Sequence, residues 1–116
     1  MQFKCKDLSI SDEPFGCTIT FSGNEEVNED NKYLMLQRTY AEDDFETDYY
    51  YIESSEQENS GELSDCRIEL NRNNFKIEWK SSTIDIKLKE DSVEHKKLIT
   101  AIKKVIKGIG NLDVKS

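Results

Sequence analysis

The chain is poor in the residues on which most small-protein chemistry depends. Its 116 residues include one proline, one histidine, one tryptophan, five glycines and three cysteines. A lone His95 excludes His-rich metal sites and any mechanism that needs two imidazoles. Cys5, Cys17 and Cys66 show no C-x-x-C spacing, and their odd number argues against a disulfide framework, so reduced thiols in a cytoplasmic protein are expected. The glycines are scattered, with no G-x-x-x-x-G-K phosphate loop. No apolar run approaches the roughly 18 residues that a bilayer crossing needs, and the opening Met1-Gln2-Phe3-Lys4-Cys5-Lys6 is not a signal peptide; no membrane partner is expected.

What is abundant is charge. Charged residues make up 34% of the chain against 35% hydrophobic, and the net charge is -8. Leu, Ile, Val and Phe number 8, 11, 4 and 5, about 24% of the chain and above the floor under which a highly charged sequence cannot bury enough to fold. One folded domain over residues 1–116 is expected. The charge is in blocks. Residues 24–65 carry fourteen acids against only Lys32 and Arg38, a net of -12, while residues 66–116 carry twelve bases against seven acids. The acidic third is interleaved with Tyr40, Phe45, Tyr49, Tyr50 and Tyr51, which solvation alone does not call for and a protein interface does.

Period-two alternation is the main local signal. Phe15, Cys17, Ile19 and Phe21 form one run; Cys66, Ile68 and Leu70 another; then Phe75, Ile77 and Trp79, and Ile84, Ile86 and Leu88. Each has one apolar face. The short polar links at Asn71-Arg72-Asn73-Asn74 and Ser81-Ser82 make the last three a meander. Phe3 with Cys5 is a short first strand. Tyr33-Leu34-Met35-Leu36 and Tyr49-Tyr50-Tyr51-Ile52 are apolar on both faces. A central, covered strand reads this way, as does one whose outward aromatics meet a partner; Tyr33 to Arg38 is placed at the sheet centre. From Asp91 the period changes: Leu98, Ile99, Ile102, Val105, Ile106 and Ile109 form a helical stripe. Asp91 and Glu94 cap its start, and Gly108 and Gly110 supply its stop. The expected fold is α+β, an antiparallel β-sheet of about six or seven strands with a C-terminal amphipathic helix packed on one face. Long acidic connections fall at 22–31, 39–48 and 54–65. In a meander the first and third share an end of the sheet.

No constellation carries catalysis. Asp43-Asp44 and Glu25-Glu26 are adjacent pairs on loops, which point opposite ways. The three cysteines share parity with core residues, so His95 has no nucleophile to activate. The Asp43-Asp44-Phe45-Glu46 run lacks the calcium-loop spacing. The helix lysines lack the interleaved aromatics of a nucleic-acid surface. No enzyme activity, metal ion, cofactor or nucleic-acid ligand is expected. A local net of -12 attracts a basic protein and imitates a phosphate array, which suits a nuclease as partner.

Tyr33-Leu34-Met35-Leu36-Gln37-Arg38, followed by Tyr50-Tyr51-Ile52-Glu53 and Gln57, resembles the bacterial immunity protein 10 family. These are cytoplasmic proteins that neutralise the toxin domain of polymorphic or contact-dependent inhibition systems. The resemblance spans the middle third and implies an α+β fold and a cognate toxin partner. It carries over no binding residue. Gln37, Arg38 and Glu53 suit buried hydrogen-bonding partners at a strand end. The expected function is therefore binding and neutralisation of a toxin domain with a basic surface, a nuclease above all, by a chain that is monomeric when free. Glu42, Asp43, Asp44, Glu46, Asp48 and Tyr49 form the expected interface centre, with Glu25, Glu26, Glu29 and Asp30 as steering charges. The alternatives are an acidic nucleic-acid mimic or adaptor that binds basic host proteins without a dedicated toxin, and a small-ligand enzyme built around His95.

Overall fold

A computed structural model describes residues 1–23, 32–56, 60–89 and 92–115. Among them are ten strands, seven of them from the expected strand segments, and one helix formed by the Ile/Leu stripe. In chain order they are β1 (Gln2–Lys4), β2 (Asp7–Glu13), β3 (Gly16–Ser22), β4 (Tyr33–Thr39), β5 (Tyr49–Ser54), β6 (Gly61–Glu62), β7 (Cys66–Asn71), β8 (Asn74–Trp79), β9 (Ser82–Lys87), α1 (Ser92–Val105) and β10 (Gly110–Val114). The fold is α+β. The strands divide between two sheets, sheet I in the order β1-β9-β8-β7-β10 and sheet II in the order β2-β3-β4-β5-β6. Sheet II is an antiparallel meander. Sheet I contains the expected β7-β8-β9 meander, with β1 and β10 added in parallel at its two edges.

The single sheet expected from the pattern becomes two because the chain changes sheet after β1 and again after β6. Three strands escaped the pattern, and each is an edge: β2 and β6 of sheet II and β10 of sheet I. An edge strand borders core on fewer sides, so its sequence carries fewer apolar residues.

The core lies between the sheets. Cys17, Ile19, Phe21, Leu34, Leu36 and Ile52 from sheet II meet Ile68, Leu70, Phe75, Ile77, Ile84 and Ile86 from sheet I, all buried in one cluster. The Phe21 and Phe75 rings are 4.5 Å apart across the gap. Helix α1 packs against β2, β3, β4 and β10 and buries Leu98, Ala101, Ile102 and Val105, with Ile106 buried just past its end. Each of the larger side chains contributes about 1.5–3 kcal/mol of transfer free energy. Asp91, the expected cap, lies outside the described residues. The stop is as expected: Gly108 adopts φ 87°, and the N–H groups of Ile109 and Gly110 both donate to the Ile106 carbonyl at 3.0 Å. Gly110 then starts β10 so close to Cys66 that a β-carbon there would strike the Cys66 sulfur and carbonyl.

Register fixes where the connections emerge. Glu13 pairs with Gly16 and Gly16 with Thr39, which pairs with Tyr49. The turn Pro14-Phe15 and the connection 40–48 therefore share one end of sheet II. At the other end, the Gly23 N–H donates to the Lys32 carbonyl at 2.7 Å, and the Ser55 N–H donates to the Tyr33 carbonyl at 3.2 Å. The first and third long connections are thus anchored side by side, and the second is opposite them.

Candidate functional site

The connection 40–48 is a braced structure. Arg38, at the end of β4, donates through Nε to Asp48 Oδ2 at 2.9 Å and forms a second, shorter bond to the same oxygen through Nη2. Its Nη1 donates to the Lys104 carbonyl near the end of α1 at 2.7 Å. The guanidinium lies 5.0 Å from the Tyr40 ring centroid and 5.5 Å from that of Tyr50, geometry in which the aromatic faces favour the cation. The second Asp48 oxygen accepts the Ala41 N–H at 2.8 Å. That bond first, and Arg38 next, hold the Asp48 carboxyl below the usual carboxylate range. The Tyr50 hydroxyl donates to the Lys107 carbonyl at 2.8 Å. Arg38 is thus a hydrogen-bonding partner at a strand end, tying the loop base, β4 and the helix C-terminus together.

Within the loop, Asp43 Oδ1 accepts the Phe45 N–H at 2.9 Å, a turn that aspartate forms with its own backbone. Glu42, Asp43, Asp44 and Glu46 are all exposed. Phe45 stands among them with 98% of its surface in solvent, and Phe15, on the neighbouring turn, with 70%. The Tyr40 N–H donates to the Phe15 carbonyl at 2.9 Å, which links the two. Phe15 shares parity with the core residue Cys17, but it falls in a two-residue turn and is carried away from the core. Asp12, beside this end, pairs with Lys104.

The loop opens onto the outer face of sheet II. Register places Tyr33 and Met35 of β4 and Tyr49, Tyr51 and Glu53 of β5 there, while Leu34, Leu36 and Ile52 point into the core. The segments that read as apolar on both faces do so because this outer face is aromatic. No described element packs over it. Tyr49 is 52% exposed, and its ring stacks on that of Tyr51 at 6.3 Å. The Tyr33 and Tyr51 hydroxyls each donate to one oxygen of Glu53 at 3.0 Å. Burial and then Glu53 push the Tyr33 hydroxyl pKa up; for Tyr51 the Glu53 hydrogen bond leads. The Gln37 amide donates to Thr18 Oγ1 at 3.3 Å. The outward strand positions supply Asp7, Glu13, Glu53 and Glu62, and no lysine or arginine.

The expected interface residues thus separate by role. Glu42, Asp43, Asp44 and Glu46 are exposed carboxylates, of which Asp43 and Glu46 also accept N–H groups of the loop, Tyr49 joins them to the sheet face, and Asp48 is spent on the brace. Glu25, Glu26, Glu29 and Asp30 lie outside the described residues. The flanks of their segment, Gly23 and Lys32, are at the end of sheet II opposite the 40–48 loop. Phe45 and Phe15 were not among the expected site residues. The signal for Phe45 was an apolar ring between four acids, in a segment with no core parity.

His95 lines a hollow of about 110 Å³ with Cys5, Leu8, Arg72 and Leu98 among others. The Cys5 thiol donates instead to the Asp7 carbonyl at 3.2 Å, and burial pushes its pKa up. A nucleophile needs the reverse, a lowered pKa and a base in contact. Among the described residues no group of three or more His, Cys, Asp or Glu side chains could hold a metal ion. No helix among them is long and apolar enough to cross a membrane.

Comparison of the chain with protein-family models, with curated proteins and with solved structures returned no match.

Proposed function

We infer that this chain is an immunity protein: it binds a toxin domain with a basic surface and neutralises it by covering that surface, a nuclease cleft being the enzyme site whose charge fits best. The observation that carries the reading is the braced 40–48 loop. Four exposed acids surround an almost wholly solvated Phe45, next to a tyrosine face whose strand positions hold acids and no cation. An unpaired aromatic at a rigid loop tip is an anchor awaiting a pocket, and the carboxylates around it supply steering and orientation. A braced loop also loses little conformational freedom on binding. The resemblance of Tyr33–Arg38, Tyr50–Glu53 and Gln57 to immunity protein 10 sequences, for which no family model matches, points to the same class of partner.

The test is binding to the product of the reading frame immediately upstream of this gene, with inhibition of that product's toxicity as the second readout. A tight complex is expected, with Phe45→Ala weakening it by about tenfold or more. Asp43→Lys with Asp44→Lys should slow association and flatten its dependence on salt. Unchanged affinity and salt dependence in both variants would place the interface elsewhere. Weak binding to many basic proteins, lost at moderate salt, would instead identify a general nucleic-acid mimic.

A further inference from the structure

Strand β2 is an edge of sheet II, paired with β3 on one side only. Every second residue of an edge strand turns its N–H and C=O away from the sheet, and those groups require a partner, protein or water. Helix α1 runs beside this edge on the core side. Its N-terminal part lies by Leu8, and Lys104, in its last turn, reaches Asp12. Between strand and helix lie three adjoining hollows of about 110, 180 and 380 Å³. The first two share Leu8 and Glu94; the second and third share Ile10 and Lys97. They form one groove along β2. Leu8 and Ile10, the inward residues of β2, are only partly buried because the groove is open above them. Ala101 floors its far part, and Lys96, Lys97 and Thr100 form the helix wall. Among the described residues no acid pairs with Lys96 or Lys97.

We propose that this groove takes an extended segment of a partner protein as a sixth strand on β2, with an acidic side chain opposite Ile10, where Lys96 and Lys97 line the groove, and apolar side chains two residues to either side of it, opposite Leu8 and Asp12. The backbone of the added strand satisfies the β2 edge. Because strand side chains alternate, only every second residue of the guest faces the helix, so the groove reads positions and not a continuous sequence. Lys96 and Lys97, on the helix wall beside Ile10, select the acid, while Glu94 lines the part of the groove by Leu8. The surface is distinct from the 40–48 loop, and beside Ile10 it presents Lys96 and Lys97 where that loop presents only acids, so a guest here is not the basic domain assigned to that loop. A second copy of this chain is the poorer occupant: pairing β2 with β2 about Ile10 would set Asp7 against Glu13 twice, and like charges directly opposite oppose pairing.

The experiment uses the full chain and a capped peptide, Thr-Val-Thr-Glu-Thr-Val-Thr, with the lysine version Thr-Val-Thr-Lys-Thr-Val-Thr as its control. Binding is followed by amide chemical shifts and hydrogen exchange. The expected result is saturable binding, with shifts and new amide protection confined to residues 7–13 and 94–101. The lysine peptide should bind about tenfold more weakly or not at all. Lys96→Glu with Lys97→Glu, both on the exposed helix face, should reverse the preference between the two peptides without altering the fold. Thr100→Trp should block both. Equal binding of the two peptides, no saturable binding at millimolar peptide, shifts centred on the 40–48 loop, or a β2-mediated dimer that excludes peptide would each overturn the proposal. Failure here leaves the toxin-binding test untouched, because the Phe45 and Asp43/Asp44 variants lie at another surface.

Discussion

Arg38 shows how much one side chain can organise. It satisfies Asp48, caps a carbonyl of the last helical turn and sits between two aromatic rings, with 16% of its side chain exposed. Arg38→Ala removes the donor to the Lys104 carbonyl and both donors to Asp48 Oδ2 together. The lost charged hydrogen bond to Lys104 alone should cost about 1.5–3 kcal/mol, read as a fall in the urea midpoint. Arg38→Lys should recover little, because an ammonium cannot reproduce the planar fork. Asp48 gives the same brace a pH signature. Its folded pKa is lowered, so its contribution is fully present above the ordinary carboxylate value of 3.8 and is lost as pH falls through the lower folded value. The Ala41 amide resonance should therefore hold steady through neutral pH and move only below about pH 3.8. In Asp48→Asn that acid transition should vanish; a transition that persists would assign it to another carboxylate. Asp48 also marks a limit of sequence reading. In the chain it is one more acid among acids, and only the folded position of Arg38, ten residues earlier, separates a brace from an interface charge.

At the scale of elements, the strands most legible in the sequence were those whose alternation met core on one face, β3 and β7 to β9, together with the helix stripe. Tyr33 to Arg38 was also placed correctly at a sheet centre, but it is covered on its inner face only: the core and α1 lie on that side, and no described element covers the other. β2 was not legible, because an edge strand with two apolar residues among serines and acids has the composition of a loop. β10 was hidden for a related reason. It adds only Leu112 to the apolar contacts and exposes Val114, and what defines it is backbone pairing with β7. That pairing depends on close approach at its first residue. Gly110→Ala should force the backbones of β7 and β10 apart against Cys66 and cost about 1–3 kcal/mol. Denaturant unfolding would measure it; a change within error would show that the strand shifts to accommodate the methyl.

For the molecule as a whole, the three cysteines are well-placed reporters. Cys17 lies in sheet II, Cys66 in sheet I and Cys5 at the crossing between them, all buried and free. Burial pushes all three thiols up, Cys66 to about 11, so none is primed to react. Since one apolar cluster spans both sheets, the sheets should open together. Labelling with a thiol reagent at pH 8 should be slow and should proceed at one common rate that rises with denaturant. Early labelling of Cys17 alone would show that sheet II opens by itself.

The parallel strand β1 carries a consequence for how the chain is made. Beside it the Met1 nitrogen donates to the carbonyl of Thr83, 82 residues later, and among the described residues β1 pairs with β9 alone. While a ribosome is still synthesising the chain, residues 2–4 have no strand to pair with until β9 has followed them out. Sheet II can form in the meantime from neighbours in sequence, but the edge of sheet I must close late, by a contact that spans most of the chain.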